Sequence, residues 1–101
     1  MNADNEMPRR KNEATDVRIG QNIRFHRMSR HATQAELAHE IGVSQQQLRK
    51  YENGTDRIAA SRLFEVSQIL HVPIEAFFRE IPPSLRKLPP LRSIERDEFH
   101  R

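Results

Sequence analysis

Gln45, Gln46, Arg49 and Lys50 lie within two turns of one stretch, SQQQLRKYENG, and all four carry long side chains that donate hydrogen bonds. A glutamine amide both donates and accepts, which matches N7 and N6 of adenine, while arginine and lysine match the O6 and N7 acceptors of guanine. With Leu48 taken as the inward direction and about 100° added per residue, Gln46, Lys50 and Asn53 point nearly opposite to it. Gln45 and Arg49 fall on the adjoining flank, and Ser44, Tyr51 and Glu52 on the inward side. No carboxylate stands on the outward side, and such a face suits an anionic partner. Gln45 and Gln46, at the leading end, are the first candidates for contact with base edges, followed by Lys50 and then Arg49. For any single glutamine the competing reading, an exposed residue chosen as a good helix former, stays open.

Such a face needs a helix held at a defined angle, and the flanking residues supply one. Thr33-Gln-Ala-Glu36 is a capping box, and Ser44-Gln-Gln-Gln47 repeats the pattern with glutamine as the returning group. Ala32 with Leu37 and Val43 with Leu48 are placed as hydrophobic staples at the same two starts. Between them Ala35, Leu37, Ala38 and Ile41 form the buried stripe of a short helix, and Gly42 stands where a left-handed terminating residue is required. Asn53-Gly54 ends the next helix, and Leu63, Val66, Ile69 and Leu70 make the stripe of another. Upstream, Ile19, Ile23 and Arg27/Met28 recur at helical spacing and predict a helix of roughly 14 residues from Asp16. Downstream, Pro73 suits the first position of a short fifth helix carrying Ile74, Phe77 and Phe78. Helix, glycine turn, helix is the arrangement whose second member enters the major groove of DNA. It also occurs in ordinary helical bundles, so the exposed face decides between the two.

With 101 residues and 36% hydrophobic content, the chain holds one modest core, and 26 of its 36 apolar residues lie between Val17 and Phe78. The expected organisation is a flexible polar arm at 1–16, a helical domain at 17–80 and a Pro-rich tail at 81–101 with at best a short final helix. The net charge of +3 is too small to announce a polyanion partner, so an anion-binding surface must come from sorting charges onto one face. There is no cysteine, hence no disulfide or thiolate site, and no apolar run of the roughly 18 residues that a membrane span needs. With a polar start unlike a secretory leader, the expected location is the cytoplasm.

The stretch TQAELAHEIGVSQQQLRKYENGTDRI resembles the lambda-repressor-like (XRE or Cro-type) helix-turn-helix family. Gln34, Ala38, Gly42, Ser44, Leu48, Tyr51, Glu52, Asn53 and Gly54 stand at that family's spacings, and the likeness covers about Val17 to Phe78. The wording from KYENGTDRI to SRLFEVSQILHVPIEAFF is similar to small regulators of alphaproteobacterial type. The resemblance implies an all-α, five-helix DNA-binding domain acting as a homodimer on double-stranded operator DNA, more often repressing than activating transcription. It implies phosphate contacts from Thr33, Gln34, Ser44, Asn53 and Arg57, with Gln34 also bracing Gln45, and an internal ion pair between Arg27 and Glu52. Four residues depart from the family pattern: His31 where glycine is frequent, Ala32 for a larger apolar residue, His26 for leucine and Ala59 for a capping serine.

Other chemistries find little support. His26, His31, His39, His71 and His100 lack the spacing and accompanying carboxylate of a helical zinc motif, so no metal or cofactor is expected. There is no glycine-rich phosphate loop, and Ser44, Ser61 and Ser67 read as caps or helix surface, so no enzyme is expected. The alternative is an antitoxin-like or other protein-interaction module on the same fold, its partner held by Leu85, Leu88, Leu91, Ile94 and Phe99 of the tail.

Overall fold

The computed structural model describes the backbone of residues 2–82 and 84, and the side chains of residues 13–82 and 84. Four α-helices follow one another, α1 (Asn2–Ser29), α2 (Gln34–Ile41), α3 (Gln45–Asn53) and α4 (Ala60–Leu70), and a 3₁₀ helix, Ile74–Phe78, closes the series. The described residues contain no strand. Apart from Ile81, Pro82 and Ser84, the expected tail, with all of its apolar partner-binding residues, lies outside the described residues.

Two elements differ from expectation. Helix α1 starts at Asn2 and not at Asp16, so the segment expected as an arm has helical backbone. Ala3, Glu6, Met7, Arg9, Arg10 and Lys11 are good helix formers, but they lack the apolar period that marks a helix in sequence. The fifth helix is a 3₁₀ turn with Pro73 as its cap, one position before the place expected for it. Its first bond runs from the Ala76 N–H to the Pro73 carbonyl over three residues at 2.9 Å. Five residues between Pro73 and the extended Arg79 are too few for the four-residue ladder of an α-helix to propagate.

Ile19, Ile23, Leu37, Ala38, Ile41, Leu48, Leu63, Val66, Leu70 and Phe77 form one core to which all five elements contribute. At Gly20, α1 comes so close to α3 that a Cβ would overlap the carbonyl oxygen of Tyr51 and lie 2.5 Å from that of Glu52. Glycine is what permits this crossing. The 3₁₀ helix is fastened to α1 by Asn22, which is buried and whose amide donates to the carbonyls of Phe77 at 2.9 Å and Arg79 at 2.7 Å.

The departures from the family pattern have local consequences. Ala59 caps α4 with extended backbone and no side-chain hydrogen bond. Because that backbone already suits a cap, Ala59→Ser should stabilise the domain by about 0.5–2 kcal/mol, read as a higher urea midpoint at unchanged slope. His31 and His71 both adopt left-handed backbone, each with φ 60°, a conformation usually left to glycine or asparagine.

His26 is half-buried with its ring edge-on to Phe25 and Phe77, at centroid distances of 5.1 and 5.9 Å. Burial pushes its pKa below the ordinary 6.5. The unfolded chain therefore takes up a proton near pH 6.5 while the folded chain does so only at lower pH. This contribution to stability is complete above pH 6.5, falls as pH drops toward the folded pKa, and then levels off. His26→Leu should flatten that acid-side decline when urea midpoints are compared across pH 5 to 8.

Candidate nucleic-acid interface

The start of α3 is set by Ser44, whose hydroxyl accepts from the Gln47 N–H at 3.0 Å. The reciprocal half of the expected capping box is absent: the Gln47 amide donates instead to the Asp56 carboxylate at 3.1 Å. The bond to a charged acceptor at the NH2 end of the amide outweighs the neutral one that its oxygen would accept from the Ser44 N–H in a capping box. At α2 both halves of the box form, the Thr33 hydroxyl accepting from Glu36 N–H and the Glu36 carboxylate accepting from Thr33 N–H, each at 3.0 Å. Between the helices Gly42 takes φ 76°, and its N–H bonds back to α2. The next N–H, of Val43, reaches the Ala38 carbonyl at 3.0 Å. This left-handed stop turns the chain within three residues.

A buried polar cluster fixes α3 against its neighbours. The Arg27 guanidinium holds Glu52 with two bonds, Nε to Oε2 at 2.7 Å and Nη2 to Oε1 at 3.0 Å. The Gln34 amide donates to Oε1 at 3.0 Å, and Arg27 Nη1 also reaches the Ala32 carbonyl at 2.8 Å. Helices α1, α2 and α3 thus meet on one carboxylate. Arg27 is fully buried and Glu52 nearly so. From α4, Arg62 donates to the Ile41 carbonyl at 2.5 Å and closes the last turn of α2 at the corner.

What α3 leaves outside is a row of donors. Gln46, Arg49, Lys50 and Asn53 are exposed and Gln45 is half-buried, while Leu48 and Glu52 are buried. Glu52 is the sole acid of α3, so the exposed side of this helix carries no carboxylate. Among the residues expected to hold phosphate, Ser44, Asn53 and Arg57 are exposed. Thr33 and Gln34 are buried, at 3% and 7% exposure, and the Gln34 amide faces Glu52 and not Gln45. The carboxylate draws the amide inward because a charged acceptor shared with Arg27 is the stronger partner. Arg57 lies in the loop after α3 and donates from Nε to Asp16 of α1 at 3.2 Å.

Sequence reasoning passes over Gly20, Asn22 and Arg62. The signal for Gly20 is a glycine in the middle of an otherwise apolar helical pattern, which points to a packing reason. Nothing in the sequence pairs Asn22 or Arg62 with carbonyls 55 and 21 residues away.

Among the described residues no group of three histidines or acids is placed to hold a metal ion, and no helix is long and apolar enough to cross a membrane.

Two short helices meeting at a left-handed glycine, the second presenting donors and burying its one acid, define a helix-turn-helix unit. A family model described as Helix-turn-helix matches residues 23–77, and the chain belongs to the lambda-repressor-like (XRE/Cro-type) helix-turn-helix family. It is 40% identical over 74 residues, 73% of this chain and 53% of the relative, to an uncharacterized HTH-type transcriptional regulator of Sinorhizobium medicae. It is 46% identical over 66 residues, 65% of this chain and 61% of the relative, to an uncharacterized transcriptional regulator in the ATPase CF(0) region of Rhodospirillum rubrum. A third relative, an uncharacterized HTH-type transcriptional regulator of Sinorhizobium fredii, is 36% identical over 88 residues, 87% of this chain and 62% of the relative. The chain thus spans between about half and three-fifths of the length of these relatives. No solved structure shows a significant match to it.

Proposed function

We propose that this chain is a sequence-specific, DNA-binding transcriptional regulator without enzymatic activity, working in the cytoplasm as a homodimeric repressor that lays α3 in the major groove. The observation that carries this reading is the exposed side of α3, where Gln46, Arg49, Lys50 and Asn53 stand without a carboxylate because Glu52 is turned inward. Gln45 and Gln46 lead into the groove and pair with adenine edges, and Lys50 and Arg49 take guanine acceptors. Ser44, Asn53 and Arg57 contact phosphate, joined by the partly screened Thr33 and Gln34 at the start of α2. The 17–80 segment serves as the DNA-binding unit, with 1–16 and 81–101 as its extensions. Repression follows from occupancy of a two-fold site whose half-sites lie about 10 bp apart. Phosphate contacts supply much of the affinity, so binding falls steeply with salt.

Selection of bound fragments from random duplex DNA tests the reading, and an enriched palindrome is the expected result. No enrichment over input would count against sequence-specific binding. Gln45→Ala should then cost about 1–3 kcal/mol on the selected site and relax preference at one base pair, measured by titration against single-base variants of that site. Unchanged affinity and preference would remove Gln45 from the base-contacting set.

A further inference from the structure

We propose that Asp16, although acidic and close to the suggested DNA-facing loop, is a positioning residue that strengthens DNA binding by aiming Arg57 at a phosphate. The inference rests on the DNA-binding reading and adds a residue outside the helix-turn-helix. Arg57 sits in the Gly54–Ala59 loop, which folds back on the end of α3: the N–H groups of Thr55 and Asp56 both donate to the Lys50 carbonyl, at 3.0 and 3.3 Å. Gln47 of α3 also holds Asp56 through its side chain. The loop is therefore fastened beside the donor face of α3, and its one cation is Arg57.

The contact between Asp16 and Arg57 uses one edge of the guanidinium. Nε donates to Asp16 Oδ2 at 3.2 Å. A guanidinium has five N–H donors in a planar fork. With Nε engaged by Asp16 and the side chain 61% exposed, the Nη donors remain for a phosphate, the bidentate acceptor that they fit. The two side chains differ in exposure as this arrangement requires: Arg57 is 61% exposed and Asp16 only 14%. The carboxylate is set back on a helix while the guanidinium stands forward. An exposed arginine otherwise loses rotamer freedom on clamping a phosphate, and a side chain held beforehand loses less.

The alternative for a carboxylate near DNA is simple repulsion, and it predicts the opposite sign. On that account Asp16→Ala raises affinity by removing a negative charge. On the positioning account Asp16→Ala lowers it, because Arg57 is no longer oriented.

The test uses the full chain and labelled duplex DNA of mixed sequence, since a phosphate contact carries no sequence requirement. Binding is titrated over a salt series for the wild type, Asp16→Ala, Asp16→Asn, Arg57→Ala and the double variant, with helicity by circular dichroism as the check on folding. Asp16→Ala is expected to weaken binding by about tenfold and to reduce the salt slope by about one phosphate's worth. Asp16→Asn keeps an oxygen that accepts from Nε and should restore most of both. In the Arg57→Ala background, Asp16→Ala should add nothing, as coupled residues require. Higher affinity for Asp16→Ala, or additive effects in the double variant, would overturn the positioning role while leaving the DNA-binding reading intact. Failure of the wild type to bind duplex DNA at low salt would overturn that reading, and this inference with it. Should Asp16→Ala unfold, Asp16→Asn decides by its sign: affinity above that of the wild type, as removal of a repelling charge predicts, overturns the positioning role, and affinity no higher than that of the wild type supports it.

Discussion

Glu52→Ala is expected to cost about 3–5 kcal/mol of stability, enough to unfold much of the population of a domain this small. The cause is not the loss of an attraction alone. Arg27 is fully buried, and without Glu52 its charge stays inside the protein while the carboxylate that balanced it is gone. The Gln34 amide loses its acceptor in the same step. Replacing both charged partners, as Arg27→Met with Glu52→Leu, should recover a large part of the loss, because the buried cation is then removed together with its carboxylate. Equilibrium urea unfolding of the single and double variants distinguishes the cases. A single variant with a near-wild-type midpoint would mean that the buried cluster is not what joins the three helices. Binding should follow stability for Glu52→Ala, since the donor face of α3 has its angle set through this carboxylate.

The second large effect is expected at Gly20. In Gly20→Ala the new methyl meets backbone, the carbonyl oxygens of Tyr51 and Glu52 and the Glu52 carbonyl carbon at 2.8 Å. Backbone atoms cannot rotate away, so α1 must lift from α3, and Ile19 and Ile23 on either side lose part of their burial. A cost of about 3 kcal/mol or more follows, at the upper end for an added methyl. Gln21→Ala, one residue on and exposed, is the control and should stay within about 0.5 kcal/mol of the wild type. Thermal unfolding of the two variants side by side reads the difference. Equal midpoints would show that the α1–α3 crossing has slack to accept the methyl.

Much of the candidate site is legible in the sequence. The sidedness of α3 follows from 3.6-residue geometry once Leu48 is taken as inward, and the exposure of Gln46, Arg49, Lys50 and Asn53 agrees with it. The Thr33 and Ser44 starts and the left-handed Gly42 and Gly54 are local chemistry, carried by residues within four positions of one another. The hydroxyl half of the Ser44 cap is legible and the amide half is not, because Asp56 competes for Gln47 from nine residues away. The start of α1 is hidden for a related reason: apolar periodicity marks only the part of a helix that faces a core, and Asn2 to Asp16 carries no such stripe.

The sequence by itself determined which side chains α3 shows and how α2 and α3 begin and end, since caps, turns and helical phase depend on neighbours along the chain. The tertiary structure decided how closely α1 crosses α3 at Gly20 and where the amides of Gln34 and Gln47 point. It also decided which carbonyls Asn22 and Arg62 close. These contacts join residues that the chain holds far apart. A hydrogen bond or a steric overlap is settled within a few ångströms, a distance no spacing along the sequence specifies until the helices have packed.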